Sequence, residues 1–244
     1  MARLIDCWQR RGDRRVLFLT ALAFTTDGVA VVSRAGRLLD SAWTFRLLQR
    51  WTNYYLRTVE PEDDDLTRIT PPAWASAHRA AAQSVVPADA ALLLGVCALV
   101  NNDLPQALAE VLTGEWPLPG DRLERRRTDF GAVCGVLADT VESLQAGIAA
   151  RYDHRVCASA PQPGAIAGPG ALDVHSLARS WQATAWEQAL MLVTAADESW
   201  RGAIRRDLES AAGRCVDSLA EEMMDRLDDP ARRRAIDTPA HGPA

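Results

Sequence analysis

The chain contains no lysine, and all 27 of its basic residues are arginine. Schiff-base chemistry, a lysine-anchored pyridoxal phosphate and a P-loop lysine are therefore excluded. Cysteine is sparse and scattered, at positions 7, 97, 134, 157 and 215, with no Cys-x-x-Cys pair. That excludes a zinc-ribbon pattern and a disulfide framework and leaves reduced thiols as the simplest state. The four histidines (78, 154, 175 and 241) show no His-Glu-x-x-His spacing, so no metal site is expected from them. The net charge is −5, which argues against general attraction to nucleic acid. No run alternates between apolar and polar residues as a strand would. There is no Gly-x-Ser-x-Gly elbow, no dinucleotide Gly-x-Gly-x-x-Gly and no kinase or deaminase signature.

What the chain does contain is helical periodicity. It is 48% hydrophobic over 244 residues, enough for one sizeable core. Behind Asp13, the residues Val16, Leu19, Leu22 and Ala23 form a stripe. Asp40 or Ser41 caps a helix to Val59 with Trp43, Trp51, Tyr54 and Tyr55 on a wide aromatic face. Thr70-Pro71-Pro72 opens a helix holding Trp74 and His78, and Thr128 N-caps one bearing Phe130, Val133, Leu137 and Val141. Two more carry Trp181 and Trp186, then Trp200 and Leu208 behind Asp197. The expectation is an all-α, single-domain bundle of about eight helices with a kinked, largely buried central helix, covering residues 1–227. The Pro/Gly/Ala stretch at about 157–171 reads as a mobile loop or lid, and 228–244 as a frayed tail. The arginines within 122–127 read as a solvated cluster or as partners of the acidic loop at 60–65.

The central helix is Ala91–Leu112. Its apolar run stops at Asn101, Asn102 and Asp103, Pro105 follows, and Ala107, Leu108, Val111 and Leu112 resume the pattern. Proline lacks a donor and clashes with the carbonyl four residues back, so the helix is expected to kink or restart, with Asp103 as its N-cap. Three amide and carboxylate groups at a helix break inside a core also mark a candidate site.

The same stretch resembles the signature of domain-of-unknown-function family 5995, on Gly95, Ala98, Asn101, Asp103, Leu104 and Pro105. Agreement extends to Thr52–Leu56, Pro71–Trp74, Thr128–Phe130 onward to Ala150, and Ala185-Trp186. The resemblance implies an all-α fold and no settled activity. A signature histidine of the family falls on Leu99, and an asparagine falls on Cys97. Leu99 can neither bind a metal nor carry a proton.

Eight tryptophans against four phenylalanines and three tyrosines is an unusual balance. Packing accounts for any one of them, but together they can wall an apolar pocket. The leading expectation is a cofactor-independent cyclase- or isomerase-type enzyme acting on a hydrophobic small molecule. Asp103 would act as base or electrostatic stabiliser, with Asn101 and Asn102 orienting the substrate. Trp51, Tyr54, Tyr55, Trp181, Trp186, Cys97 and Leu99 would line the pocket. One alternative is a magnesium-assisted enzyme using Asp103 and Glu110; the i, i+4, i+8 spacing of Asn102, Gln106 and Glu110 resembles the triad of class I terpene cyclases. The other is a non-catalytic ligand-binding or interaction protein. No nucleic-acid or membrane partner is expected, and the oligomeric state is open, a homodimer included. Arg14-Arg15 before Val16–Phe24 imitates an export signal, but Asp6 and Asp13 and the continuing helical pattern argue for a cytoplasmic protein.

Overall fold

The computed structural model describes residues 1–59, 70–152 and 174–228. The acidic loop, the stretch 157–171 and the tail beyond Asp228 lie outside these. The described residues form helices α1 (Ala2–Arg11), α2 (Val16–Arg34), α3 (Ser41–Val59), α4 (Pro72–Ala82), α5 (Ala88–Ala98), α6 (Leu104–Thr113), α7 (Gly120–Tyr152), α8 (Val174–Thr194) and α9 (Glu198–Asp228). A π turn, Leu99–Asp103, joins α5 to α6, and no strand occurs among the described residues. The fold is an all-α bundle.

Two predicted caps are present. The Asp40 carboxylate accepts the Trp43 N–H at 2.9 Å, and that of Asp197 accepts the Trp200 N–H at 2.8 Å. A third is not. Helix α7 starts at Gly120, so Thr128 lies inside it and donates its hydroxyl to the Glu124 carbonyl at 3.0 Å. The charged run before Thr128 is polar enough to read as a loop, yet arginine and glutamate are good helix formers. One face of that run is buried. Arg126 donates to Asp40 at 2.7 Å and to Glu115 at 2.9 Å, and its guanidinium lies 5.0 Å from the centre of the Trp43 ring. The expectation of a solvated arginine cluster fails at this residue.

Helices α5 and α6 with the π turn form one rod, Ala88–Thr113, and every residue from Ala90 to Ala109 is buried. Helices α2, α4 and α7 pack on α5, α3 and α8 pack on α6, and α9 packs on α5 and on the π turn. A helix without a polar face fits only such a place, at the centre of a bundle. By length and composition alone, α2 and this rod are also apolar enough to cross a membrane. Gly95 is required by the packing: a Cβ there would sit 2.1 Å from the Phe18 ring. Phe18 belongs to an aromatic cluster with Tyr55, Trp74 and His78, whose ring centres lie 4.5–6.3 Å apart.

Candidate functional site

The site begins with Pro105. Its ring would collide with the Asn101 carbonyl in a regular helix, and it has no N–H to donate. The rod does not break; it widens. The Leu104 N–H reaches back five residues to the Leu99 carbonyl, which is the π bonding pattern. The same carbonyl accepts the Trp51 indole N–H at 2.8 Å. The expected kink is therefore an uninterrupted π turn with a tryptophan from α3 pinned to it. Such turns occur frequently at functional sites.

The capping role expected of Asp103 is also replaced. Its backbone is helical and its side chain makes no capping bond. Both carboxylate oxygens instead accept the Trp74 indole N–H at 3.0 Å, and one accepts the Asn102 amide at 2.7 Å. The residue is 1% exposed. Burial is the main cause that raises its carboxyl to about 7; the two donors pull it back, and Glu209 on α9 adds repulsion. A carboxyl held only by neutral donors in a dry interior titrates near neutrality, the range suited to proton transfer.

The neighbouring amides extend the network. Asn101 donates to the Cys97 carbonyl at 2.9 Å and lies 3.4 Å from the Cys97 sulfur. Gln106 donates to the Asn102 carbonyl at 2.8 Å. The Asn102 side-chain oxygen is buried with no hydrogen-bond partner among the described residues. An orphaned acceptor of this kind costs about 1–3 kcal/mol unless something fills the role.

Gln106 connects this interior to a cleft of about 360 Å³, where it is one of the lining residues. The cleft is bounded by Arg50 and Tyr54 of α3, Ala109 and Glu110 of α6, Leu192 of α8, and Glu198, Arg201 and Arg205 of α9. The Tyr54 hydroxyl donates to Glu110 at 2.6 Å, and Arg50 stands 3.7 Å from the same carboxylate. Burial, then Glu110, push the Tyr54 phenol well above its ordinary range, so it stays protonated and donating. Arg201 is committed to Glu198 at 2.6 Å and to the Leu192 carbonyl at 3.1 Å. Arg205 forms no ion pair within 4 Å among the described residues.

The expected site residues separate into three places. Asn101, Asn102, Asp103, Cys97, Leu99 and Trp51 converge on the π turn. Tyr54 alone of the expected aromatic lining faces the cleft. Tyr55 is fully buried in the aromatic cluster, and Trp186 packs on Phe130 with ring centres 5.5 Å apart. Trp181 borders an apolar hollow of about 10 Å³ beside Val96, Val100 and Cys134, too small for an organic ligand. Trp8, Trp43, Trp51, Trp74, Trp181 and Trp186 thus pack the core, whereas Trp200 is exposed. Sequence reasoning missed Trp74 as the partner of Asp103, and Arg50, Arg201 and Arg205 as cleft residues. Of the Asn102, Gln106 and Glu110 spacing, Gln106 and Glu110 reach the cleft, while the Gln106 nitrogen turns back to the helix. No group of three or more His, Cys, Asp or Glu placed to hold a metal occurs among the described residues.

The profile of a family of unknown function, DUF5995, matches residues 1–222, and the chain belongs to that family. No curated protein and no solved structure matches the chain.

Proposed function

We propose that this family member is a cofactor-independent enzyme of isomerase or lyase type. Its substrate would be a small, largely apolar molecule that carries an anionic group. The observation supporting this most directly is the Tyr54–Glu110 pair inside a cleft that also holds Arg50 and Arg205. Arginine suits carboxylate or phosphate recognition, and Ala109, Leu192 and the Tyr54 ring offer apolar surface beside it. In this reading the Glu110 carboxylate takes a proton from bound substrate and Tyr54 steadies it. The expected hydrophobic ligand acquires a charged end, because Arg50 and Arg205, the latter in no ion pair within 4 Å among the described residues, favour an anion over a magnesium ion. Asp103 acts through its neighbours: it orders Asn102, whose carbonyl holds Gln106 at the cleft. Asp103 is therefore a positioning residue in this scheme, with Asn101 and Asn102. The small net negative charge supports a protein without nucleic-acid partners, and a cytoplasmic setting belongs to the same reading.

Untargeted metabolite capture on immobilised protein tests it. Wild type is expected to enrich compounds bearing a carboxylate or phosphate, and Arg50→Gln with Arg205→Gln together should lose them. Glu110→Gln should retain the captured compound and fail to convert it. Equal capture by wild type and the double arginine variant would remove the cleft as the site. Capture without any conversion by wild type would favour a non-catalytic binding protein, a reading that the closed packing around the π turn also supports.

A further inference from the structure

The sequence separates Cys97 and Cys215 by 118 positions, yet their sulfur atoms lie 3.3 Å apart. Cys97 is the penultimate residue of α5 and is fully buried; Cys215, on α9, is half-buried. The two helices pack directly on one another beside the π turn. We propose that Cys97 and Cys215 are a redox modification site, which a peroxide converts to a reversible disulfide clamping α9 to α5. This inference is independent of the function assigned to the cleft.

The geometry divides the labour between the two sulfurs. The Cys97 thiol is the donor and Cys215 the acceptor. That hydrogen bond holds Cys215 down to about 7 against the opposing effect of burial. Cys97 is pushed the other way, first by donating to Cys215 and then by burial. Cys215 is therefore the more readily ionised of the two, and its partial exposure gives a peroxide access to it. Its sulfur attacks one peroxide oxygen and the O–O bond breaks. Cys215 becomes a sulfenic acid, and the expelled hydroxide (or alkoxide from an organic peroxide) takes from solvent the proton that the Cys215 thiol released and departs as water (or alcohol). The Cys97 sulfur then attacks the Cys215 sulfur. The S–OH bond breaks, the Cys97 proton goes to the departing hydroxide, and a second water leaves. Two thiols are oxidised to one disulfide and one peroxide is reduced. Reaching the bonded separation of roughly 2.05 Å requires closure of about 1 Å between adjacent helices. Asn101, 3.4 Å from the Cys97 sulfur, can support the thiolate as it forms. Cys134 is buried, which pushes its thiol well up and leaves it unreactive.

The test uses the full-length reduced protein and hydrogen peroxide. Peptide mapping after brief exposure should find Cys97 joined to Cys215 within one chain. Both thiols should be lost to alkylation in denaturant, and dithiothreitol should restore them. The melting temperature should rise on oxidation and return on reduction. Cys97→Ala should leave a sulfenic acid on Cys215 that dimedone traps. Should that variant fail to fold, Cys215→Ser serves instead: the same dose should leave its Cys97 unmodified. Oxidised wild type with a free Cys97 and a sulfinic Cys215 would overturn the proposal. So would an unreacted pair, or a disulfide to any other cysteine.

Discussion

The molecule holds two buried polar nodes that solve the same problem in opposite ways. At the node around Arg126, charges are matched: Arg126 is 4% exposed and bridges Asp40 and Glu115. Asp129, 1% exposed, accepts the backbone N–H groups of Leu39 and Asp40 at 2.7 Å each. The Trp43 backbone N–H and then Arg126 hold the Asp40 carboxyl below its usual range. At the π turn, Asp103 is fully buried, unlike the partly exposed Asp40; it faces an indole and an amide, and its carboxyl rises to about 7. Burial raises a carboxyl and donors lower it: Asp103 is fully buried with only neutral donors, whereas Asp40 is partly exposed and has both a backbone N–H and an arginine. The first node ties the α2–α3 turn to α7 and is structural. The second leaves an acid near neutrality beside an amide oxygen with no hydrogen-bond partner among the described residues.

The largest effect should come from breaking the matched node. Arg126→Met keeps much of the aliphatic volume but strands two carboxylates, and denaturant unfolding should show a loss of about 4 kcal/mol. A loss under about 1 kcal/mol would mean that water replaces the arginine and that the node is not dry. Asp129→Asn keeps one acceptor but turns an amide donor toward a backbone N–H. The expected loss is about 2 kcal/mol, from a charge-assisted bond removed.

The unmatched node predicts a pH signature. Asp103 is raised from 3.8 to about 7, so the folded state binds the extra proton, and its contribution to stability falls as pH rises through that window. Burial, with a smaller contribution from Arg15, lowers His78 from 6.5 to about 4, so its contribution rises with pH between those values. The two oppose each other between about 4 and 6.5, and wild-type stability should be nearly flat there. Asp103→Asn should expose the His78 slope, stability climbing with pH by up to about 1.4 kcal/mol per unit. His78→Gln should expose the opposite slope, continuing to about pH 7. Melting curves across this range check both, and parallel profiles for all three proteins would show that neither group is perturbed. The smallest effect on stability is expected at the cleft. Tyr54→Phe removes a bond to the partly exposed Glu110 and should cost about 0.5 kcal/mol or less, while abolishing conversion of any captured ligand.

The fold was legible because helical periodicity is a local property. The apolar run from Ala91 to Val100, the Asp40 and Asp197 caps and the Pro71–Pro72 start each act within a few residues, and each appears where it was read. The start of α7 was missed because Arg122–Arg127 looks solvated in one dimension, and the burial of Arg126 depends on Asp40, 86 positions away. The centre of the candidate site was visible in Asn101–Asp103 as a polar interruption in an apolar run. Its chemistry was not, because Asp103 as a cap and Asp103 as an indole-bound acid have the same neighbours along the chain.

By itself, the sequence determined an all-α chain with one apolar rod at its centre and an obstruction in that rod at Pro105. Those follow from side-chain spacing and from a ring that cannot donate a hydrogen bond. Only the tertiary structure decided that the rod widens rather than breaks and that Trp74 of α4 claims Asp103. It alone assembled the arginine-lined cleft from α3, α6, α8 and α9 and brought two cysteines 118 positions apart into contact. Partners of that kind are set by which helices pack together, and packing selects among distant segments that no local pattern relates.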